Sequence, residues 1–481
     1  EIAQCLVGSE MCIRDSHSPK LDDSLSSLKE ELIRNNQIKL DDYHRYDVKR
    51  GLRNSDGTGV MAGLSRICSV EGYYIDDGER VPKEGKLIYR GINMTDIVRN
   101  CQKENRFGYE EVVWLLLLGD LPTQGQLDKF RAVLAEAREL PDDFIEDMIM
   151  KAPSPNIMNK VARSVLALYS YDNNPDDLSI ENVLRQSIKL IAQIPTIMSY
   201  AYQVKRRAYD HKSMYIHQND KSLSTAESIL HTIRSDRKFT DEEAKILDLC
   251  MVIHADHGGG NNSTFTTRCI TSTGTDTYSA IAAGIGSLKG PKHGGANIQV
   301  HNMIADLKKT VSNPTDEGQV ADYLTKVIHK EAGDRTGLIY GMGHAVYTLS
   351  DPRAVLLKEF ASQKAEKYGF ADDYKIISLV EELTPELFYK YKGEKKKMCA
   401  NVDLYSGLIY DMLRIPPELF TPMFMAARIS GWCAHRLEEL CSGSRIMRPA
   451  YKSVALPRAF VPIAERNIDH IVPDYVPSEE R

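Results

Sequence analysis

The sequence has no excess of positive charge, no paired cysteines and no apolar run of membrane length. Each absence excludes a class of protein. Lysine and arginine number 61 against 67 aspartates and glutamates, a net charge of −6, which argues against a dedicated nucleic-acid binder. The nine cysteines (Cys5, Cys12, Cys68, Cys101, Cys250, Cys269, Cys399, Cys433 and Cys441) make no CxxC pair and keep no regular spacing. They read as reduced thiols of a cytoplasmic protein, not as a disulfide framework. The clean apolar run near the start, Val112 to Leu118, is far short of a bilayer span, so no membrane segment is expected. There is no initiator methionine and no basic stretch followed by an apolar one, hence no expected signal peptide. Ser9-Glu10-Met11-Cys12-Ile13-Arg14-Asp15-Ser16 resembles a translated sequencing adapter, so residues 1–16 are expected to be foreign to the fold.

What is present is a helical sequence. With 481 residues and 42% hydrophobic content the chain can bury a large core. Residues 17–58 are polar and without strong periodicity, and read as an N-terminal arm. From Gly59 to Gly91 short apolar pieces alternate with turn residues: Ile67–Val70, Gly72–Ile75 and Lys86–Gly91. Asp76-Asp77-Gly78 is a turn signal, so a minor β-hairpin is expected there. Beyond Met94 the apolar spacing is helical. Gly119-Asp120-Leu121-Pro122-Thr123 stops one helix and caps the next. Glu181 to Val204, interrupted by Pro195, reads as a kinked and largely buried helix. Thr240-Asp241-Glu242-Glu243 is a capping box opening a helix expected to run on to His254 and His257 before Gly258-Gly259-Gly260 ends it. Asp351-Pro352 caps a helix with Arg353 in its first turn. Thr421-Pro422 is expected to open another, carrying Arg428, Trp432 and His435 along one side. The fold class is all-α.

Three polar residues stand out beside glycine-bearing backbone. His293 lies in Lys289-Gly290-Pro291-Lys292-His293-Gly294-Gly295, where glycines let backbone approach a ligand closely. His344 lies in Gly341-Met342-Gly343-His344, and Asp403 in Asn401-Val402-Asp403. His293 can be a catalytic acid or a core histidine capping a turn; Asp403 can be a base or a helix cap. Two imidazoles and a carboxylate suit acid/base chemistry on a small molecule. Arg353, Arg428 and Arg448 are candidates for holding carboxylates, because a guanidinium fork matches that geometry. Gly284-Ile285-Gly286 begins a dinucleotide fingerprint, but Lys289 occupies the third glycine position and no strong strand precedes it. His254, His257 and His301 could bind a metal in a non-enzymatic protein, although no cysteine or glutamate follows at zinc-site spacing, and no metal is expected.

Together these motifs resemble the citrate synthase family, in particular its bacterial citrate/2-methylcitrate synthase group. The resemblance runs from about Gly59 to Arg466. It rests on His254-Ala255-Asp256-His257, Lys289 to Asn297, Gly341 to His344 with Asp351-Pro352-Arg353, Asn401-Val402-Asp403, and Arg428 with Arg448; Tyr89-Arg90-Gly91 and Ile194-Pro195-Thr196 add support. It implies condensation of acetyl-CoA with oxaloacetate and water to citrate and CoA, with propionyl-CoA and 2-methylcitrate as the alternative. On this resemblance Asp403 takes a proton from the thioester methyl, His293 stabilises the enol, and His344 polarises and protonates the ketone. Arg353, Arg428 and His257 hold oxaloacetate, and Arg448 is donated across a homodimer. Lys289, Lys292, Gly341, Met342 and Gly343 would face CoA, a co-substrate; no permanently bound cofactor is implied. The implied architecture is a large helical domain (59–293 and 410–481) and a small one (294–409) with the active-site cleft between them. Gly258-Gly259-Gly260 departs from members that carry glutamate and glutamine there. The arm and the tail from Asn467 to Arg481 carry no motif of the family.

Overall fold

The computed structural model describes residues 25, 28–30, 32–393, 398–443, 445–457 and 460–466. The adapter-like segment, part of the N-terminal arm, most of the Lys-rich linker after Gly393 and the tail from Asn467 lie outside these. The chain divides into two units, Met61–Met447 and a terminal unit made of Glu1–Val60 with Arg448–Arg481. In the terminal unit a short helix α1 (Leu40–Arg45) is followed by a turn in which Val60 N–H donates to Leu52 O at 2.9 Å. Lys452 there lies over the Tyr46 ring at 5.4 Å.

The larger unit opens with strands β1 (Cys68–Asp76), β2 (Glu79–Tyr89) and β3 (Ile92–Asn93), antiparallel in the order β1-β2-β3. The hairpin turns at Asp77-Gly78, both with positive φ, where the sequence placed it. Its two expected apolar pieces are one strand, bent by a bulge between Glu71 and Tyr73. Helices follow: α2 (Met94–Lys103), α3 (Tyr109–Leu118), α4 (Gln124–Ala137), α5 (Ile157–Leu168), α6 (Ile180–Ala208), α7 (Thr225–Ile233) and α8 (Asp241–His254). Then come α9 (Asn262–Thr271), α10 (Thr277–Leu288), α11 (Ala296–Thr310), α12 (Glu317–Ile328), α13 (Pro352–Tyr368), α14 (Ala371–Lys392), α15 (Val402–Met412) and α16 (Phe420–Cys441). Capping boxes at Thr123/Gln126, Ser224/Glu227 and Thr240/Glu243 start α4, α7 and α8. Gly119, left-handed, ends α3. Gly284 and Gly286 lie inside α10, where a Cβ on Gly284 would come within 2.7 Å of Thr267 Oγ1; this glycine serves helix packing, and no strand–turn–helix precedes a phosphate.

The core is built around α6 and α16. Pro195 sits within α6 and the helix stays buried on either side of it. Helix α16 is buried without a break from Phe420 to Leu437, polar residues included. It begins at Phe420, one residue before the expected cap: Thr421 Oγ1 instead reaches Gly294 O at 3.3 Å and Asn297 at 3.1 Å, tying α16 to the turn that carries His293. Helix α8 stops at His254, so His257 lies in the loop beyond it and not on the helix as the sequence suggested. The cause is α16, whose Arg428 Nε donates to His254 O at 2.6 Å and whose Gly431 N–H donates to Ala255 O at 3.2 Å. With those carbonyls taken from outside, the helix has no reason to continue.

Candidate active site

Three loops and two helix N-termini converge on α16. The post-α8 loop supplies His257. The turn from Lys289 to Gly295 supplies His293, the loop before α13 supplies His344, the start of α13 supplies Arg353, and the start of α15 supplies Asp403. The rings of His257 and His344 meet edge to face at 5.0 Å. Tyr347 stacks on His344 at 4.6 Å and meets His257 at 5.6 Å. Arg353 Nη2 approaches His344 Nε2 at 3.5 Å.

Each histidine has a defined hydrogen-bond setting. His344 Nδ1 accepts from the backbone N–H of Val346 and of Tyr347, both at 3.1 Å; these two shorter contacts outweigh the 3.5 Å approach of Arg353 to Nε2 and leave the neutral ring's proton on Nε2. His293 Nε2 lies 3.0 Å from Ser263 Oγ, which also takes the Trp432 indole N–H at 3.1 Å and lies 2.9 Å from Asn261 Oδ1. Ser263 has one hydroxyl proton to give, to Asn261 or to His293. Given to Nε2, it leaves the imidazole proton on Nδ1. Burial, then the charges of Arg428 and Arg353, lower His293 to about 4, so the ring is neutral at physiological pH. Burial and the neighbouring Arg353 hold His257 well below the usual histidine range.

The charged residues are unevenly satisfied. Arg353 binds Asp351 through Nη2 at 2.7 Å and Nε at 3.0 Å, a pair buried at the first turn of α13. Arg436, also on α16, spends its guanidinium on Thr277, Thr271 and Thr275 O at 2.7–3.2 Å. Arg428 is as deeply buried, but beyond the Nε bond to His254 O its Nη1 and Nη2 have no partner. Burial lowers it to about 10, against the pull of Asp256. Asp403 is half-buried with Oδ1 enclosed and unpartnered, and burial pushes it up to about 7 while Arg353 pulls the other way. His254 Nε2 at the end of α8, and Asp256 Oδ1 and His257 Nε2 in the loop beyond it, are enclosed and unpartnered. Native folds leave few such atoms, and a set of them on residues gathered around α16 points to a polar ligand.

Backbone ties hold the pieces together. Asn401 caps α15, accepting the Asp403 N–H at 3.0 Å, while its amide donates to Gly343 O at 2.9 Å. Asn401 N–H donates to Gly341 O at 2.9 Å and Gly343 N–H to Cys399 O at 2.8 Å. These bonds tie the His344 loop to the start of the Asp403 helix. Gly341, at φ 83°, lies against Leu404, where a Cβ would come within 2.9 Å of the Leu404 Cα. Lys289 and Lys292 are exposed on their turn, and Met342 pairs with Ala400. Arg448 is exposed and belongs to the terminal unit.

A citrate synthase, C-terminal domain family model matches residues 55–450. The chain belongs to the citrate synthase family. It is 33% identical to a citrate synthase of Synechocystis over 412 residues, covering 85% of this chain and 92% of that one. It is 31% identical to a 2-methylcitrate synthase of Shewanella oneidensis over 381 residues, 79% of this chain and 92% of that one. The fold is similar to that of the Thermoplasma acidophilum citrate synthase in ternary complex with carboxymethyl coenzyme A and oxaloacetate, with a TM-score of 0.70 at 25% identity, covering 87% of this chain and 99% of that one. Membership of the citrate synthase family makes the chain an enzyme, a transferase.

Within this citrate synthase fold, sequence reasoning missed Ser263, Asp351 as the Arg353 counter-charge, Tyr347, and the Asp256–His435 contact. Ser263 and Asp256 act on partners 30 and 179 residues away, which no spacing rule reveals. Asp351 was read only as a cap; a carboxylate two residues before a candidate anion-binding arginine was the available signal.

Proposed function

We propose that this chain condenses acetyl-CoA with oxaloacetate and water to give citrate and CoA, the entry step of the tricarboxylic acid cycle. The observation that carries the reading is the set of unpartnered buried groups, Asp403 Oδ1 and both Arg428 Nη atoms above all. Asp403, with its raised pKa, is a better base than an ordinary carboxylate and takes the α-proton of the thioester. His293 donates from Nδ1 to the thioester oxygen as the enol forms, in the tautomer that results when Ser263 turns its proton from Asn261 to Nε2. A full enolate is thereby avoided. The enol carbon attacks the ketone carbon of oxaloacetate. His344 Nε2–H polarises the ketone oxygen and then protonates it. Water cleaves the thioester and releases CoA. Arg353, Arg428 and His257 hold the oxaloacetate carboxylates and ketone; orientation of the two reactants supplies about 7–11 kcal/mol of barrier reduction.

Residues 294–409 act as a small domain closing on the rest, with His293 and Asp403 near its hinges, and closure excludes water from the thioester. Lys289, Lys292 and Gly341–Gly343 face CoA. The enzyme is a cytoplasmic homodimer in which Arg448 of the partner subunit completes the oxaloacetate site. Exposure of Arg448 and of Tyr451, Phe460 and Ile463 on the terminal unit supports a covered surface there, and the described cysteines are all free thiols. Among the described residues no helix is long and apolar enough to cross a membrane.

The 2-methylcitrate reading keeps every role and replaces acetyl-CoA by propionyl-CoA; the Shewanella relative favours it. One methylene is worth only about 1–3 kcal/mol in an apolar pocket, so both thioesters are expected to react. The metal-binding reading has less to support it. His254 Nδ1 bonds Cys250 O, His301 Nδ1 faces Asp411, and among the described residues no three ligand side chains group together. The test is CoA-thiol release with oxaloacetate: the ratio of kcat/KM for acetyl-CoA to that for propionyl-CoA separates the two reactions, and no release from either refutes both.

A further inference from the structure

Asp256, one residue before His257, is wholly buried against α16. Its Oδ2 accepts from the Gly258 N–H at 3.1 Å, spanning the His257 backbone, and from His435 Nε2 at 3.1 Å. On the other side of the ring, His435 Nδ1 lies 3.1 Å from Arg268 Nη1. A guanidinium only donates, so Nδ1 accepts and the ring proton sits on Nε2, aimed at Asp256. Arg268 is in turn fixed by Glu438 and Glu439, each at 2.7 Å. Gly431 makes the approach possible: a Cβ there would stand 2.4 Å from Asp256 Oδ1. The result is a chain of side chains from α9 and α16 to the loop that bears His257.

The mechanism above does not use this chain, and its geometry raises a problem of charge. Asp256 is the main attractive charge acting on Arg428. Yet among the described residues no ion pair joins them, Asp256 Oδ1 has no partner, and neither do Arg428 Nη1 and Nη2. A carboxylate and a guanidinium in a dry interior pair readily in a forked geometry. Such a pair would consume the donors that a substrate carboxylate needs.

We propose that His435 is a positioning residue that restrains the Asp256 carboxylate, keeping it close to Arg428 as a counter-charge while leaving both Nη groups open to oxaloacetate. The inference rests on the reading that Arg428 binds an oxaloacetate carboxylate. The binding cation thus stays charged in a buried setting without being occupied by its own counter-ion. Arg268, Glu438 and Glu439 fix the ring and its tautomer.

The test is steady-state kinetics of the full chain with oxaloacetate and acetyl-CoA. His435→Leu is expected to raise the oxaloacetate KM by about tenfold to a hundredfold, the range for losing donors to a charged group, with the acetyl-CoA KM changed by less than about threefold. His435→Gln, whose amide donates to Asp256 and accepts from Arg268, is expected to restore most of the affinity. Adding Asp256→Asn to His435→Leu is expected to recover oxaloacetate affinity several-fold, because a neutral amide does not compete for Arg428. His435→Asn, too short to reach Asp256, carries the same expectation as the leucine variant and replaces it should that one fail to fold. Equal rises in both KM values, a glutamine variant no better than the leucine one, or a double variant worse than the single one overturns the inference. Arg428→Gln separates the two layers: an unchanged oxaloacetate KM refutes the substrate assignment itself, whereas a raised one beside an unaffected His435→Leu refutes only the role of His435.

Discussion

Arg428 and Arg436 lie two turns apart on one buried helix, and only their partners tell them apart. Arg436 has three hydroxyl or carbonyl acceptors for its guanidinium; Arg428 has one, on Nε. The same contrast separates Asp351, bound twice by Arg353, from Asp403, whose buried oxygen meets nothing. Unsatisfied charge is costly, and it persists in a fold where a ligand uses it. For Asp403 the cost has a sign with pH. Its folded pKa of about 7 lies above the ordinary 3.8, so the penalty of ionisation builds as pH rises from 3.8 and is complete above about 7. Asp403→Asn is therefore expected to raise the melting temperature at pH 8 while lowering kcat by about a thousandfold, within the usual range for a lost general base. In the unaltered enzyme kcat is expected to fall as pH drops through about 7, because protonated Asp403 cannot accept the α-proton. A kcat profile flat from pH 8 to 5 would show that Asp403 is not the base. At this scale the sequence marks its candidates by what lies beside them along the chain, glycines at His293 and His344 and a short motif at Asp403. It was not legible at Ser263 or Asp256, whose importance lies in partners distant along the chain.

At the scale of elements, the small sheet has a purpose that its size conceals. The β1–β2 hairpin lies directly on the His344 loop: Arg80 Nη2 donates to Val346 O at 2.9 Å, and Gly85 N–H donates to Ser350 Oγ at 3.1 Å. Two glycines make the contact. A Cβ on Gly72 would lie 2.6 Å from Val346 O, and one on Gly85 would lie 2.2 Å from Ser350 O. Neither obstacle is a flexible side-chain tip, so the loop must shift. Gly72→Ala and Gly85→Ala are expected to lower kcat at least tenfold through His344, alongside a loss of roughly 1–3 kcal/mol of stability from overpacking. Gly125→Ala, in α4 with nothing within 4 Å, is expected to stabilise by roughly 0.5–1 kcal/mol and leave kcat alone. Thermal unfolding and turnover of the three variants decide; equal behaviour would refute the clamp. The hairpin turn, the Thr123 and Thr240 caps and the Asp351-Pro352 start were readable because local chemistry sets them. The C-terminal end of α8 and the start of α16 were not, because neighbouring elements take the hydrogen bonds that local rules assume to be free.

At the scale of the molecule, the terminal unit exposes large apolar side chains, Leu28, Leu32, Leu40, Tyr451 and Phe460 among them, more than a solvated surface needs. The proposed dimer, with Arg448 of the partner subunit lent to the site, would cover them. Mixing Asp403→Ala with Arg448→Ala chains under subunit exchange is expected to restore part of the activity, since each hybrid dimer retains one intact site; no restoration would argue for sites confined to single chains. The helical architecture was readable from the apolar spacing and the family from five motifs in order, because both are written in local sequence. Release of CoA thiol from acetyl-CoA, followed with and without oxaloacetate, bears most directly on whether these side chains form one condensing site. Release that needs oxaloacetate and disappears in Asp403→Asn is the expected result. Release at the same rate without oxaloacetate, or in the Asp403 variant, would contradict it.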